Sequence, residues 1–310
     1  IRAHGGKVVF GGWVSIYGIA AYKELLLLGD GSETVLEMTD VLCAPDHTVL
    51  LGACNLARPL ATETDACYVR RDVHYHGVSE LVDLYEWANG TKGMWMSELG
   101  YLTFPAYLPN AYLRYLHYAA SDGRWKHADD FVLMWYASWG AGPDAHKCLS
   151  FTNSSGDQQL STHGQHLALM SRLFRNETIT ALALDHFTTV PSLSPQTDEE
   201  TSAAMGFRLG EDSSGVVFAL LLDNNTWTGS DMTMTITLDL QFSPMTLPNC
   251  DMVVAPTGDI HRLSPRRMAA AGENQVELTV PVGKSPLAVA RAFGGPKDPF
   301  AVSVSYVTCA

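Results

Sequence analysis

Positive charge is scarce in this chain. Only 20 Lys and Arg stand against 33 Asp and Glu, leaving a net charge of −13 over 310 residues. A nucleic-acid binder needs a basic face to displace counterions from phosphate. A protein held to anionic lipid needs a basic cluster. The balance argues against both and fits a protein that stays dispersed in water. Long hydrophobic runs are also missing. Leu25 to Leu28 is one turn of an apolar helix, far short of the roughly 20 residues of a membrane span. The first residue is Ile1 and no signal peptide follows it; the expectation is a removed leader or a chain that begins internally. Cysteines are few, six in all, and none shows the short paired spacing of a zinc site. No internal repeat and no low-complexity tract interrupts the chain.

Four glycosylation sequons are present, at Asn89, Asn153, Asn176 and Asn224, each in a polar, turn-like setting. Together with the cysteines, which suit an oxidising compartment, they predict a secreted, extracellular or lysosome-like location. Cys43, Cys54, Cys67, Cys148, Cys250 and Cys309 allow 15 connectivities. Two pairings are preferred: Cys54 with Cys67, closing a polar loop, and Cys250 with Cys309, tying late strands together.

The texture of the chain changes near residue 176. Before it, short apolar strands alternate with helical stretches: a strand at Lys7–Phe10, a helix at about Tyr17–Leu28 stopped by Gly29, and a segment Val35–Cys43 that reads as helix or strand. An insertion loop follows at Pro45–Asp65, then a strand at Tyr68–Tyr75. Ser79 caps a helix with Leu81, Leu84, Tyr85 and Ala88 at i, i+3, i+4 and i+7, ended by Asn89-Gly90. A strand at Gly93–Met96, a helix at about Asn110–Ala120, a strand at Phe131–Ala137 and a helix at about Gly164–Phe174 complete this half. Alternation of this kind predicts a parallel sheet covered by helices. With three or four βα units against the eight of a TIM barrel, the expected fold class is α/β plus all-β. Residues 1–175 would form the C-terminal half of a (β/α)8 barrel and residues 176–310 an antiparallel β-sandwich. The strands expected in the second half include Ala204–Leu209, Val216–Leu222, Met232–Leu240, Asp251–Ala255, Gln275–Val282, Leu287–Phe293 and Val302–Val307. Met232 to Leu238 alternates apolar with Thr, as a half-buried strand should.

Three motifs carry chemistry. In Met94-Trp95-Met96-Ser97-Glu98-Leu99-Gly100-Tyr101, a carboxylate follows a strand, where barrel enzymes place their reacting groups. The plain alternative, a surface Glu at a strand end, carries equal weight on spacing alone; Trp95 and Tyr101 tilt toward a site. In Asp72-Val73-His74-Tyr75-His76-Gly77, His74 and His76 share one face of a strand. No third ligand stands at a diagnostic spacing, so no metal and no cofactor is expected, and hydrogen bonding to sugar hydroxyls is the better reading of His74, Tyr75 and His76. In Trp135-Tyr136-Ala137-Ser138-Trp139-Gly140, Trp139 can form a platform under a sugar ring, whereas Trp135 reads as either platform or core.

A strand ending His74-Tyr75, a helix, a strand ending in Ser97-Glu98-Leu99-Gly100, a helix, a strand ending Ser138-Trp139-Gly140 and then a run of strands resembles the glycoside hydrolases of clan A. It is most similar to the families with an appended sandwich: agarase-like, β-xylosidase/iduronidase-like and heparanase/β-glucuronidase-like enzymes. The resemblance covers about residues 7 to 175. It implies a retaining hydrolase acting on a β-linked glycan, with Glu98 in the place of the nucleophile, His74 or Tyr75 near it, and Trp139 lining the sugar site. It departs from the clan in one respect: no Asn-Glu pair precedes Lys7, so the acid/base Glu is expected from an N-terminal half-barrel outside this chain, present as a second chain or missing segment. The alternative is a non-catalytic, carbohydrate-binding or structural glycoprotein of an extracellular matrix. In either case the expected partner is carbohydrate, without nucleic acid or a membrane span.

Overall fold

A computed structural model describes residues 5–11, 18–43, 84–90, 92–100, 107–120, 131–136, 139–140, 148–174, 178–182, 187–190, 203–210, 215–222, 232–239, 249–267, 275–282 and 303–310. The expected loop Pro45–Asp65 and the strands Tyr68–Tyr75 and Leu287–Phe293 lie outside these residues.

Four strands form a parallel sheet in the order β1 (Val9–Gly11), β2 (Val41–Cys43), β3 (Gly93–Gly100), β4 (Phe131–Tyr136). Helix α1 (Gly18–Leu26) follows β1 and buries Tyr22 and Leu26, at i and i+4 on one face. The Tyr22 hydroxyl donates to the Phe10 carbonyl at 2.6 Å, and the two rings stack 5.8 Å apart. The ambiguous stretch 35–43 divides into helix and strand. Thr34 opens α2 (Val35–Met38) with a capping box: the Glu37 N–H donates to Thr34 Oγ1 at 3.2 Å and the Thr34 N–H donates back to the Glu37 carboxylate at 2.6 Å. Asp40 then joins three strand starts. Its carboxylate accepts from the Val8 N–H at 2.7 Å, its N–H donates to the Val8 carbonyl at 2.8 Å, and its carbonyl accepts from the Gly93 N–H at 3.0 Å. The helical turn at residues 84–87 buries Leu84 and Tyr85, with Ala88 after them. It ends where Asn89 and Gly90 adopt φ of 59° and 60°, the left-handed conformation that closes a helix.

The remaining sheets are mostly antiparallel. Six strands run in the order β14 (Asp259–Arg262), β13 (Cys250–Val254), β17 (Ser303–Cys309), β11 (Gly215–Leu222), β10 (Ala203–Leu209), β8 (Ile179–Ala181). Four more run β15 (Arg266–Arg267), β16 (Gln275–Val282), β12 (Met232–Asp239), β9 (Phe187–Val190). The two sheets face each other across a core containing Phe187, Phe218, Leu220, Ile236, Leu278 and Val280. The Cys250–Cys309 disulfide lies in that core and links β13 to β17, where the two cysteines stand directly opposite each other.

The other face of the six-stranded sheet packs on helices. Phe207, Val217, Ala219 and Tyr306 share a second core with Leu26, Leu42 and Leu84, and with residues of α3 (Tyr107–Ala120) and α4 (Thr162–Leu173). This explains why Val216 to Leu221 is an unbroken apolar run: alternate residues enter the two cores, so both faces of β11 are covered. Each such side chain removed from water contributes about 1.5–3 kcal/mol.

The expected C-terminal half of a (β/α)8 barrel is corrected by these sheets. The described strands fall into four sheets, the two largest blocks of pairing being antiparallel, and only four helices and the helical turn at 84–87 accompany seventeen strands among the described residues. The βα alternation does not run through the first 175 residues. Between β4 and the helix expected at about Gly164–Phe174, which is present, an unexpected three-stranded sheet intervenes: β5 (Trp139–Gly140), β6 (Ser150–Thr152) and β7 (Gln158–Leu160). The four parallel strands form an open sheet in which β1 and β4 are each hydrogen-bonded on one side only among the described residues; a barrel has no such edges. The error has a physical source. Hydrophobic periodicity reports the local state of a segment, and a short parallel sheet and half a barrel have the same local pattern.

Candidate functional site

The candidate site is the carboxyl edge of the parallel sheet. Gly11, Cys43, Trp95 and Val132 form one row across the four strands, and among the described residues β1 and β2 reach no further than that row. β3 and β4 continue beyond it, β3 from Met96 to Gly100 and β4 from Leu133 to Tyr136. Ligands bind at the carboxyl ends of strands in open α/β sheets, and the projecting β3–β4 pair makes that edge uneven.

Glu98 lies on this projection. The sequence places Ser97-Glu98-Leu99-Gly100 just past a strand; instead these residues are the end of β3. Met96 pairs with Leu133 and Leu99 with Trp135, so Ser97 and Glu98 together stand opposite Met134. This is a β-bulge: one extra residue interrupts the ladder and increases the local twist, a feature common next to active sites. Nothing in the local sequence announces it, because no glycine or proline marks the position. Trp135 faces Leu99 in the ladder, and Tyr136 faces Gly100.

Trp139 belongs to a different sheet. It pairs with Ser150 of β6, which pairs in turn with Leu160 of β7. Residues in register across a ladder share a face, and Trp139 and Leu160 are 52% and 48% exposed. Three chain steps separate Tyr136 from Trp139, a reach of at most about 11 Å. His74, Tyr75, His76 and Tyr101 lie outside the described residues, as do Cys54, Cys67, Asn176 and Asn224. Asn89 is exposed in the turn that ends residues 84–87. Asn153 sits in the β6–β7 turn, where its side-chain oxygen accepts from the N–H groups of Ser155 and Asp157, each at 2.9 Å.

Two further groups stand out in the structure: Trp95, which the sequence marks only as an aromatic neighbour of Glu98, and a histidine pair that it does not mark. Trp95 is half-buried, and its indole Nε1 is buried with no hydrogen-bond partner among the described residues. His163 and His166 are buried on α4. Burial, and secondarily the neighbouring His163, push the His166 imidazole down to about 3, so it is neutral at any physiological pH. Their spacing of three on a helix was visible, but without a third ligand it signals only a shared face.

No family model matches the chain, and no curated protein matches it. Among solved structures, a conserved exported protein from Bacteroides fragilis aligns with 92% of this chain at 11% identity and a TM-score of 0.44. The chain spans half of that structure, covering 50% of its length. A likeness of that grade carries no argument about fold or activity. Among the described residues, no helix is long and apolar enough to cross a membrane.

Proposed function

We propose that the chain is the carbohydrate-active part of a secreted glycoprotein, a retaining glycosidase for a β-linked glycan with Glu98 as its nucleophile. The observation that carries this reading is the position of Glu98: at a bulge, on the part of β3 that projects beyond β1 and β2. A nucleophilic carboxylate must meet the anomeric carbon in line, and a bulge in a paired strand offers a rigid mounting outside the regular ladder. The exposed Trp139 indole, three residues beyond the end of β4, supplies aromatic surface for the apolar face of a sugar. The Cys250–Cys309 disulfide and the sequons support secretion.

In the first step the Glu98 carboxylate forms a bond to the anomeric carbon. The glycosidic C–O bond breaks, and a second carboxyl group about 5–5.5 Å away, contributed by a polypeptide segment outside this chain, gives its proton to the departing oxygen. That group then takes a proton from water, whose oxygen displaces Glu98 and releases the sugar with net retention. Exposed Trp139 alone favours the second reading, a glycan-binding protein without turnover.

The test compares the native glycoprotein with its Glu98→Gln variant on 4-nitrophenyl β-glucoside, galactoside, xyloside and glucuronide. Turnover should fall at least roughly a thousandfold, as expected when the covalent route is lost. An activated 2-fluoro glycoside should label the peptide carrying Glu98. Label elsewhere, or full activity in the variant, overturns the assignment. Glycan binding that depends on Trp139, with no hydrolysis by either protein, would establish the binding reading instead.

A further inference from the structure

We infer that Asn153 carries an N-linked glycan whose first sugar, an N-acetylglucosamine, packs on the ring of Phe151. This rests on the secreted location proposed above and not on hydrolytic activity. The turn fixes the attachment point. The Asn153 carbonyl accepts from the Gly156 N–H at 3.0 Å, and its own N–H donates to the Asp157 carbonyl at 2.9 Å. Gly156 has a φ of 87°, so a three-residue loop with glycine in the left-handed position closes the β6–β7 hairpin. The Asn153 side-chain oxygen is held by the N–H groups of Ser155 and Asp157. Its Nδ2 makes one long contact, to the Asp157 carboxylate at 3.4 Å. An amide nitrogen carries two hydrogens, so a sugar can replace one while the other keeps that contact. The transfer forms a bond from Nδ2 to C1 of the sugar and releases one amide proton. It breaks the bond from C1 to a polyprenyl diphosphate carrier, which leaves with the electron pair.

The bond to Asp157 continues the ladder one residue past Thr152, so alternation puts Phe151 and Asn153 on one face, about 7 Å apart. On that face Phe151 stands between Gly140, which has no side chain, and Gln159, which is exposed. Phe151 is half-buried and belongs to neither hydrophobic core of the described residues. The C–H face of a pyranose suits such a ring, and a covalent tether holds it there at high effective concentration. Asn89 supplies the contrast. Trp87 also stands two residues before a sequon, but residues two apart on a helical turn do not share a face. Trp87 packs against the second core, with Lys23 over its ring. Strand geometry, not the aromatic residue by itself, brings ring and sugar together.

Glycopeptide mass spectrometry of the native glycoprotein should find N-acetylhexosamine on Asn153. Ser155→Ala removes the sequon yet keeps the Asn153 hydrogen bonds, because Ser155 donates through its backbone. Hydrogen exchange of the Asn153 and Asp157 amides should run roughly two- to tenfold faster in this variant, the weight of one ring contact. Ser155→Thr should restore the wild-type rate. Trimming the glycan to its first sugar should leave the rate unchanged, and that trimmed protein should show nuclear Overhauser contacts between sugar and Phe151 ring protons. In Phe151→Leu, forms with and without the sequon should exchange alike. A bare Asn153 overturns the inference; a glycan on Asn89 would then keep the secreted location standing, whereas four bare sequons would remove its support as well. Absent ring contacts, or glycan protection that survives Phe151→Leu, overturns the seating on Phe151. A dimer of the native glycoprotein that Phe151→Leu dissociates would assign this face to a second copy and overturn it too.

Discussion

The parallel sheet and the pair of antiparallel sheets use their strands differently. In the six-stranded sheet, β11 is covered on both faces, its register runs unbroken from Ala203↔Leu221 to Leu209↔Gly215 against β10, and β13 is joined to β17 by a disulfide. The parallel sheet shows the opposite character. Among the described residues its strands end at different heights, and β3 and β4 slip register at Ser97–Glu98. The first region resolves nearly every conflict in favour of packing. The second retains irregularities that packing alone would remove, which is the usual mark of a site. Glu98→Gln should therefore damage function without damaging the fold, whereas the same economy of change in the antiparallel region should do the reverse.

Phe218→Ala gives the largest expected stability effect in that comparison. Phe218 is fully buried, its ring meets Phe187 edge-on at 5.2 Å, and its strand has no solvent face into which a cavity could collapse. A loss of about 3–5 kcal/mol is expected, read from urea unfolding of the glycoprotein, with the bulge region untouched. A loss below about 1 kcal/mol would mean that the two sheets are not packed as tightly as their shared core implies.

Replacing Cys250 and Cys309 together by Ala comes next. The bond closes a loop with a sequence separation of 59 residues, and cross-links of that kind stabilise by about 2–4 kcal/mol, mainly by restricting the unfolded chain. The midpoint of urea unfolding should fall correspondingly, while KM for any glycoside turned over stays within about twofold, because neither cysteine belongs to the parallel sheet. An equal loss of binding would show that the two regions are coupled.

The effect that is smallest at neutral pH, and grows only as pH falls, concerns acid. His166 has its pKa lowered to about 3 by burial and by His163, against about 6.5 for an unfolded histidine. Between those values the unfolded chain takes up a proton that the folded chain refuses. Stability therefore falls as pH drops through this window, by up to about 1.4 kcal/mol per pH unit from this group. His166→Leu should flatten the dependence of urea-unfolding free energy on pH between 6.5 and 4. An unchanged slope would place the acid sensitivity elsewhere.

Much of the local structure was legible before any coordinates. The helix at α4 and the strands β11, β12 and β16 lie close to where periodicity puts them, because each buries a face whose spacing is written in consecutive residues. The end of the helical turn at Asn89-Gly90 was legible because few residues accept positive φ. The short strands β5, β6, β7, β14 and β15 were not. Segments such as Gln158-Gln159-Leu160, exposed at all three positions, carry no periodic signal and exist because a neighbour supplies hydrogen bonds. The candidate site divides the same way. The residue types at Glu98, Trp135 and Trp139 suggested chemistry, but the slip that puts two residues opposite Met134 depends on a partner strand more than thirty positions away.

What the sequence alone determined, then, is the set of properties that neighbouring residues decide among themselves: acidity, the Asn89-Gly90 helix end, the alternation of Met232 to Leu238 and the apolar run of β11. The tertiary structure decided whether residues 35–43 became helix or strand, which strands paired, how β3 slipped against β4, that Cys250 met Cys309 among 15 possible connectivities, and that the parallel strands stayed an open sheet. The reason is the range of the forces. Periodicity, caps and turns act over a few residues, whereas ladder hydrogen bonds and core contacts join segments far apart in the chain, and their outcome depends on which surfaces remain to be covered once the local elements have formed.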